Sequence, residues 1–257
     1  MLKTTLSKPL TIKVMPRSLN ELSFFGHLGE LRDRLIKSLV AVGVGCCIAY
    51  QFIDPALAFL IKPVGHLVFT APSEAFNARM TLTFVGGIFL SSPYVVYHIW
   101  EFVALALREE ERKYIALYGP LSLIFFLSGV IFAYFVAIPY SIQFLLSFSS
   151  NLLVPMITVN NYISYVGTLL LGFGVVFELP LILMFLTKIG IATPAFLIHY
   201  RRHAIILILI VSAILTPPDV ISQIIMAAPL LILYEIGIFI SKLTFKDLNT
   251  QLKKANS

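Results

Sequence analysis

Charged residues are scarce in this chain. They make up 12% of its 257 residues, whereas 58% are hydrophobic and the mean hydropathy is +0.91. Soluble domains carry roughly a quarter charged residues, so this composition excludes a soluble globular protein. Because lipid offers the backbone no hydrogen-bond partner, the long runs of Leu, Ile, Val and Phe predict an all-α, polytopic membrane protein. We interpret the net charge of +6 as a signal of orientation in the membrane, not of nucleic-acid binding.

Cysteine is almost absent, and the patterns of known catalytic sites are lacking. Cys46 and Cys47 are adjacent within an apolar run, which argues against a disulfide framework or a metal site. His199 and His203 are four residues apart, but no Glu accompanies them in a zincin pattern. A P-loop, a GxGxxG motif and a nucleophile elbow are also missing. The sequence therefore predicts a protein that is not an enzyme and that uses no metal or cofactor.

Six apolar runs predict six transmembrane helices. They cover about residues 35–53, 80–100, 114–138, 162–186, 203–215 and 220–240. We expect Pro93 to kink the second helix and Pro139 to end the third. The fifth run would rise only about 20 Å against about 30 Å of hydrocarbon. Pro229 is expected to break the sixth run, so the last two helices are predicted to be short.

The distribution of positive charge predicts the topology. Of the 19 Lys and Arg residues, only Lys62 and Arg79 lie in the loops at residues 55–79 and 139–161. Loops rich in Lys and Arg stay in the cytoplasm, so both termini are predicted to be cytoplasmic and these two loops exported. We expect a short helix over residues 56–61 and an interfacial helix in the second exported loop.

The chain divides into three predicted parts. Residues 1–23 are interpreted as a disordered basic cytoplasmic tail, residues 24–242 as the six-helix domain, and residues 243–257 as a cytoplasmic C-terminal tail. The polar lead is too long and too acidic for a cleavable signal peptide.

A charged, leucine-spaced segment at residues 25–35 leads into the first apolar run. Leu28, Leu31 and Leu35 recur at helical spacing and can share one face, which is typical of a helix at a membrane surface. Glu30 lies on another face of the same segment. The predicted topology places it on the cytoplasmic side.

A second acidic segment, Glu109, Glu110 and Glu111, lies on that same side. These acids could be ordinary solvated partners, Glu30 pairing with Arg34 and Glu109 with Lys113. Alternatively, they form a docking surface for a basic peptide, because a carboxylate can bind a guanidinium group through two hydrogen bonds in a geometry that Lys cannot match.

Glu178 lies within the fourth apolar run, about 12 Å from its cytoplasmic end. A charged acid near the centre of a span costs about 2.5–3.5 kcal/mol, so this carboxyl group should face a cavity or a polar partner. Its spacing leaves a structural and a functional role equally open. Pro180 and the nearby glycines favour a kinked helix that lines a concavity.

Several short motifs occur in order across the six apolar runs. They are His27-Leu28-x-Glu30-Leu31-Arg32-x-Arg34-Leu35, Ser92-Pro93, Trp100-x-Phe102, Glu111-Arg112, Phe177-Glu178-Leu179-Pro180, Thr216-Pro217-Pro218-Asp219, Ser222-Gln223 and Glu235-Ile236-Gly237. Over about residues 24–242 the chain resembles the TatC family, the polytopic receptor subunit of the twin-arginine protein translocase. The resemblance implies a glove-shaped receptor in the bacterial inner membrane that binds the twin-arginine signal peptides of folded precursors.

The resemblance also implies roles for single residues. Glu30 and Glu111 would engage the arginine pair, and Arg32, Phe102 and Arg112 would shape that surface. Glu178 would be the buried acid of the concave face. The remaining roles are contact with single-span TatA- and TatB-type partners for Thr216 and Gln223, and structural roles for Pro63, Pro93, Pro180 and Asp219.

The resemblance further implies a homo-oligomer within a larger complex, export driven by the proton-motive force, and no nucleic-acid partner. One departure is Leu105, where the family usually has proline, so we expect the first cytoplasmic loop to be less rigid than in other members. Two other functions compete with this one. A proton-coupled secondary transporter would use Glu178, but it predicts an internal repeat that the sequence lacks. A membrane scaffold would leave the cytoplasmic acids unexplained.

Overall fold

The computed structural model describes the backbone of residues 19–105, 107, 115–150, 155–216 and 220–255. These residues are mostly helical, which confirms the predicted all-α class. The helices are α1 (Leu19–Gln51), α2 (Ile53–Ile61), α3 (Pro72–Leu105), α4 (Ile115–Phe132), α5 (Ile138–Leu146), α6 (Val159–Val176), α7 (Leu179–Lys188), α8 (Pro194–His199), α9 (Arg201–Leu215) and α10 (Val220–Ala255). A π-helical turn, Ala133–Ala137, joins α4 to α5.

Several of these helices have the length and composition of membrane spans. In the described part of the chain, four continuous helical segments qualify by themselves. Two lie within single helices, Pro72–Ala104 in α3 and Met226–Lys246 in α10. The other two join neighbouring helices: Leu117–Leu146 contains α4, the π-helical turn and α5, and Val159–Lys188 contains α6 and α7. A fifth apolar segment is the pair Leu28–Gln51 and Ile53–Ile61, which is bent by 74°. Helix α9 has 15 residues, so it rises only about 22 Å. The predicted short fifth helix is thus confirmed in its length.

The charged lead segment is part of α1. The helix begins at Leu19 and continues without interruption to Gln51, so residues 19–23, predicted to be disordered, are helical; residues 1–18 lie outside the described part of the chain. Asp54 and Pro55 follow the end of α1 and lie in the first turn of α2, the short helix that the sequence predicted over residues 56–61. Proline is tolerated there because the first backbone N–H groups of a helix have no intrahelical partner.

Two predicted breaks at proline are wrong. The third long helix passes Pro139 because the chain widens into a π-helical turn just before it, where the N–H of Ile138 donates to the carbonyl of Ala133, five residues back. Helix α10 passes Pro229 and continues beyond Ile240 to Ala255. The sixth helix is therefore long, not short, and residues 241–255 lack the Gly or Pro that would end it.

Helix α3 also continues through a proline, Pro93. Proline has no N–H, so it leaves the carbonyl of Phe89, four residues back, without its helical donor. The hydroxyl of Ser92 donates to that carbonyl at 2.8 Å. This local hydrogen bond compensates for the missing backbone donor, and the helix is unbroken at this position.

Close backbone contacts hold the bundle together. A Cβ on Gly45 of α1 would lie 2.5 Å from the carbonyl oxygen of Gly87 in α3, and a Cβ on Gly129 of α4 would lie 2.4 Å from that of Phe173 in α6. Small residues at such crossings let helices approach where the hydrophobic effect gives no driving force between them. Helix α6 is central, with Leu169 and Phe173 fully buried.

The two ends of the bundle differ. At one end, the loop after α2 pairs with the residues before α6 through the bridge between Val68 and Thr158. Tyr162 of α6 donates its hydroxyl proton to the carbonyl of Leu60 at 2.5 Å and fixes α2 there. The other end contains the first turns of α1 and the last turns of α3, because these helices pack antiparallel. That end contains most of the predicted signal-peptide residues.

Candidate functional site

An aromatic cluster fixes the last turns of α3. The ring of Trp100 stacks on that of Tyr118 in α4, with centroids 5.2 Å apart, and meets Phe185 of α7 edge-on at 5.1 Å. Trp100 and Tyr118 are both buried. Because the cluster joins three helices, it sets the position of the two residues that follow Trp100 in the chain, Glu101 and Phe102.

We define the α1/α3 surface as Glu30, Arg32, Arg34, Glu101 and Phe102. Glu30 is exposed and forms no ion pair with the residues that the structure describes, so of the two alternatives for this acid the pair with Arg34 is wrong. Arg34 instead donates from Nη1 to Oε2 of Glu101 across the helix interface. Arg32 pairs with the neighbouring Asp33 at 2.9 Å, where both side chains are well exposed.

Sequence reasoning did not find the role of Glu101. It lies 67 residues from Arg34, and no local pattern links the two. The side chain of Arg34 is 14% exposed and that of Glu101 is 37% exposed. Salt and water screen such an ion pair less than one in open water. The carboxylate groups of Glu30 on α1 and Glu101 on α3 therefore both contribute to the electrostatic potential of the α1/α3 surface. The sequence did contain one indication that Glu101 has a specific place: this acid directly follows a tryptophan at the end of a predicted helix.

Phe102 lies beside a small cavity between α1 and α3. The cavity is about 120 Å³ in volume, and Leu31, Arg34 and His98 also line it. The rest of the predicted signal-peptide set cannot be placed: Glu111 and Arg112 lie outside the described residues, as do Glu109 and Glu110. The structure therefore brings Glu30, Arg32 and Phe102 to one end of the α1–α3 pair. The role of the acidic segment at residues 109–111 stays a prediction.

Glu178 lies where the fourth long helix is interrupted, between α6 and α7. Ser122 of α4 donates a hydrogen bond to its Oε1 at 2.7 Å. The carboxyl group also lines an apolar cavity of about 330 Å³, together with Trp100 and Ser92. Both expected environments, a polar partner and a cavity, are thus present. Pro180 lies in the first turn of α7, where a proline fits, and is buried.

The residues assigned to partner contact point their polar groups into the protein. The hydroxyl of Thr216, which is 7% exposed, donates to the carbonyl of Ser212 at 2.9 Å. The side-chain amide of Gln223 donates to the carbonyl of Leu209, also at 2.9 Å. Both bonds satisfy backbone acceptors of α9, so these side chains shape the α9–α10 junction.

The remaining predicted residues are scattered. Pro63 is exposed and lines a cavity of about 590 Å³ with Pro139 at the loop end of the bundle. Pro93 is exposed on α3, and Asp219 lies outside the described residues. In the described part of the chain, no group of three His, Cys, Asp or Glu side chains is close enough to hold a metal ion. Chemically, the α1/α3 surface is suited to binding cationic groups through carboxylate oxygens.

Comparison with known proteins identifies the family of this chain. Residues 26–229 match the family model of the Sec-independent protein translocase protein, TatC. The chain is 42% identical over 226 residues to the TatC protein of Carboxydothermus hydrogenoformans, covering 86% of this chain and 93% of that protein. It is 36% identical over 234 residues to TatCy of Bacillus subtilis, covering 88% and 91%.

A solved structure is similar over nearly its whole length. The crystal structure of a twin-arginine translocase receptor, TatC, superposes with a TM-score of 0.79 at 36% identity. The match covers 85% of this chain and 99% of that one. The family match, over residues 26–229, includes the residues of the α1/α3 surface and Glu178.

Proposed function

Because this chain belongs to the TatC family of Sec-independent protein translocase components, we propose that it is the receptor that binds twin-arginine signal peptides of folded precursors. The single observation that supports this proposal best is the exposed carboxylate of Glu30. It has no ion-pair partner among the described residues and lies on the same surface as Phe102. An exposed carboxylate of this kind is available to a cationic ligand.

Arginine fits this surface better than lysine. A guanidinium group offers a planar pair of donors that matches both oxygens of one carboxylate, whereas an ammonium group acts as a point charge. In our proposal Glu30 takes one arginine of the pair and Glu111 the other. Arg32, Phe102 and Arg112 shape the surface around them. The receptor has no catalytic role of its own.

The proposal includes a topology with six transmembrane helices and both termini in the cytoplasm of the inner membrane. Four long helices, the bent α1–α2 segment and the short α9 support the count. The receptor assembles as a homo-oligomer with single-span TatA- and TatB-type partners, near Thr216 and Gln223, and export is driven by the proton-motive force. A proton-coupled transporter is not favoured, since the relatives are translocase components.

The test is binding of a labelled synthetic signal peptide to the purified full-length protein in detergent. We expect Glu30→Gln to weaken binding of a peptide with two consecutive arginines by about tenfold, the loss of one charge-assisted hydrogen bond. Replacing the peptide's arginines by lysines should weaken it similarly. The matched control is Asp54→Asn, which removes an exposed acid at the opposite end of the bundle from Glu30, near the bridge between Val68 and Thr158. Equal binding of arginine and lysine peptides by the unchanged protein would refute the proposal.

The topology has its own test. In a variant with Cys46→Ser and Cys47→Ser, the thiol introduced by Arg32→Cys should react with a membrane-impermeant reagent only after the membrane is permeabilised. The thiol introduced by Glu74→Cys, at the end of the bundle that contains the bridge between Val68 and Thr158, should react in intact cells. The reverse pattern would place the α1/α3 surface on the exported side and contradict the proposed receptor.

A further inference from the structure

The ion pair between Arg34 and Glu101 lies directly beside the proposed binding residues. Arg34 follows Glu30 by one helical turn on α1, so the two side chains share a face. Glu101 directly precedes Phe102 on α3. The pair is therefore within the α1/α3 surface and not in a separate part of the bundle.

The contact between the two side chains uses little of their bonding capacity. Only Nη1 of Arg34 donates, and it reaches one oxygen of the carboxylate, Oε2. The Nε of Arg34 is buried without a hydrogen-bond partner, and Oε1 of Glu101 accepts no bond from the described residues. A guanidinium group that approached both oxygens would make two bonds where Arg34 makes one.

A second side chain with unused hydrogen-bonding atoms, His98, lies next to the ion pair. His98 is buried, with its side chain 8% exposed, and neither ring nitrogen has a hydrogen-bond partner. Its Nδ1 is 3.5 Å from Oε2 of Glu101, which is too far for a well-formed bond. Buried polar groups are normally satisfied, so this part of the interface has the features of a site that is completed by another molecule.

The adjoining cavity suits the rest of an arginine side chain. It is about 120 Å³ in volume, and its walls include Leu31, Leu35, Ile99 and Phe102. Arginine buries its methylene stem along apolar surface while its head group reaches a polar partner, and its guanidinium can lie over an aromatic face. The cavity lies beside Arg34, so the stem and the carboxylate are within reach of the same ligand.

We propose that Glu101 is a further carboxylate of the signal-peptide site, and that Arg34 occupies it as an internal competitor in the free receptor. The inference rests on the proposed receptor function. An incoming arginine displaces Arg34 from Glu101 because it can bind both oxygens, whereas a lysine gains no second bond. Displacing Arg34 costs the same for both side chains, so the preference for arginine over lysine comes from the second bond to Glu101, and the competition lowers the affinity for any cationic ligand.

The two partners of this ion pair should have opposite effects on binding. Glu101→Gln removes an acceptor and should weaken binding of the twin-arginine peptide by about fivefold, the size expected for a partly exposed ion pair. Arg34→Gln removes the competitor and its positive charge, so it should tighten binding by about threefold. It should leave the preference for arginine over lysine nearly unchanged, because displacing Arg34 costs the same for both peptides. A pair that only holds α1 against α3 would give weaker binding in both variants.

The experiment measures fluorescence anisotropy of the labelled twin-arginine peptide and its twin-lysine analogue on the full-length protein in detergent. The matched control is Glu235→Gln, which breaks a more exposed ion pair between two other helices, that of Glu235 with Arg201, and should leave binding unchanged. The double variant Arg34→Leu, Glu101→Leu leaves no unpaired charge, so it tests the proposal if a single variant fails to fold. It should bind about threefold more weakly than the unchanged protein.

The outcomes separate this inference from the proposed function. If Glu30→Gln loses binding while Glu101→Gln or the folded double variant binds normally, the receptor function stands and the role of Glu101 is refuted. Weaker binding in both single variants would also refute the competition. If the unchanged protein does not distinguish the arginine peptide from the lysine peptide, the proposed function fails and the inference fails with it.

Discussion

Two acids lie close to the same tryptophan but in opposite environments. Glu101 follows Trp100 in the chain and faces the guanidinium group of Arg34. Glu178 lines a cavity whose wall includes Trp100, and its hydrogen bond comes from a neutral hydroxyl, that of Ser122. Glu101 thus has a charged partner at the edge of the bundle, whereas Glu178 has no cationic partner among the described residues.

This difference indicates different uses for the two carboxyl groups. A partly exposed carboxylate with a cationic partner can exchange one cation for another at little cost, because it keeps a cationic partner in both states. A carboxyl group in an apolar cavity is held by one hydrogen bond and is costly to leave unpaired. Glu101 is therefore suited to recognition of a ligand, and Glu178 to a fixed position inside the bundle.

The largest expected effect comes from removing the residue that both environments share. Trp100→Ala takes away the stacked contact with Tyr118 and one wall of the Glu178 cavity. We expect it to lower the free energy of unfolding by about 4 kcal/mol, measured by circular dichroism during denaturation in detergent. Trp100→Phe keeps an aromatic ring and should cost less than half of that. A loss below about 1 kcal/mol would show that the cluster does not position these helices.

The next effect concerns the sign of the charge in the cavity. Glu178→Lys places an ammonium group among apolar walls without an acidic partner in the described structure, and should lower the free energy of unfolding by about 3 kcal/mol. Glu178→Gln keeps an oxygen that can accept from Ser122 and should cost under about 1 kcal/mol. Stability of the lysine variant equal to that of the glutamine variant would mean that the cavity is filled with water.

The sequence predicted the helices well where their signal is local. Apolar runs, the charge distribution and the lead segment indicated a helical membrane protein, and the structure places helices at every predicted span that it describes. The predicted ends at Pro139 and Pro229 were wrong because a proline disrupts a helix only when its neighbours cannot compensate. At Pro139 a π-helical turn compensates, and at Pro93 the hydroxyl of Ser92 does.

The candidate site was predicted only in part, for a related reason. Glu30 and Glu178 were found because an acid beside or inside an apolar run stands out in the sequence. The partner of Arg34 was missed because the choice between Glu30, one turn away on α1, and Glu101 on α3 depends on how two helices cross. That crossing is set by Gly45 and Gly87, whose backbones meet, and a pattern within one segment does not contain it.

The smallest expected effect separates the two acids by their response to salt. Glu101→Gln should lower the free energy of unfolding by about 0.5 kcal/mol in low salt, since the pair with Arg34 is partly exposed. At 1 M NaCl the Debye length falls to about 3 Å, and this difference should shrink to about half, because a partly buried pair is screened less than an exposed one. Ser122→Ala removes the hydrogen bond to Glu178 and should cost about 1.5 kcal/mol in both buffers, because ions do not screen a contact inside an apolar cavity. If the Glu101 difference did not shrink at high salt, the ion pair would be inaccessible to solvent, and an incoming arginine could not displace Arg34.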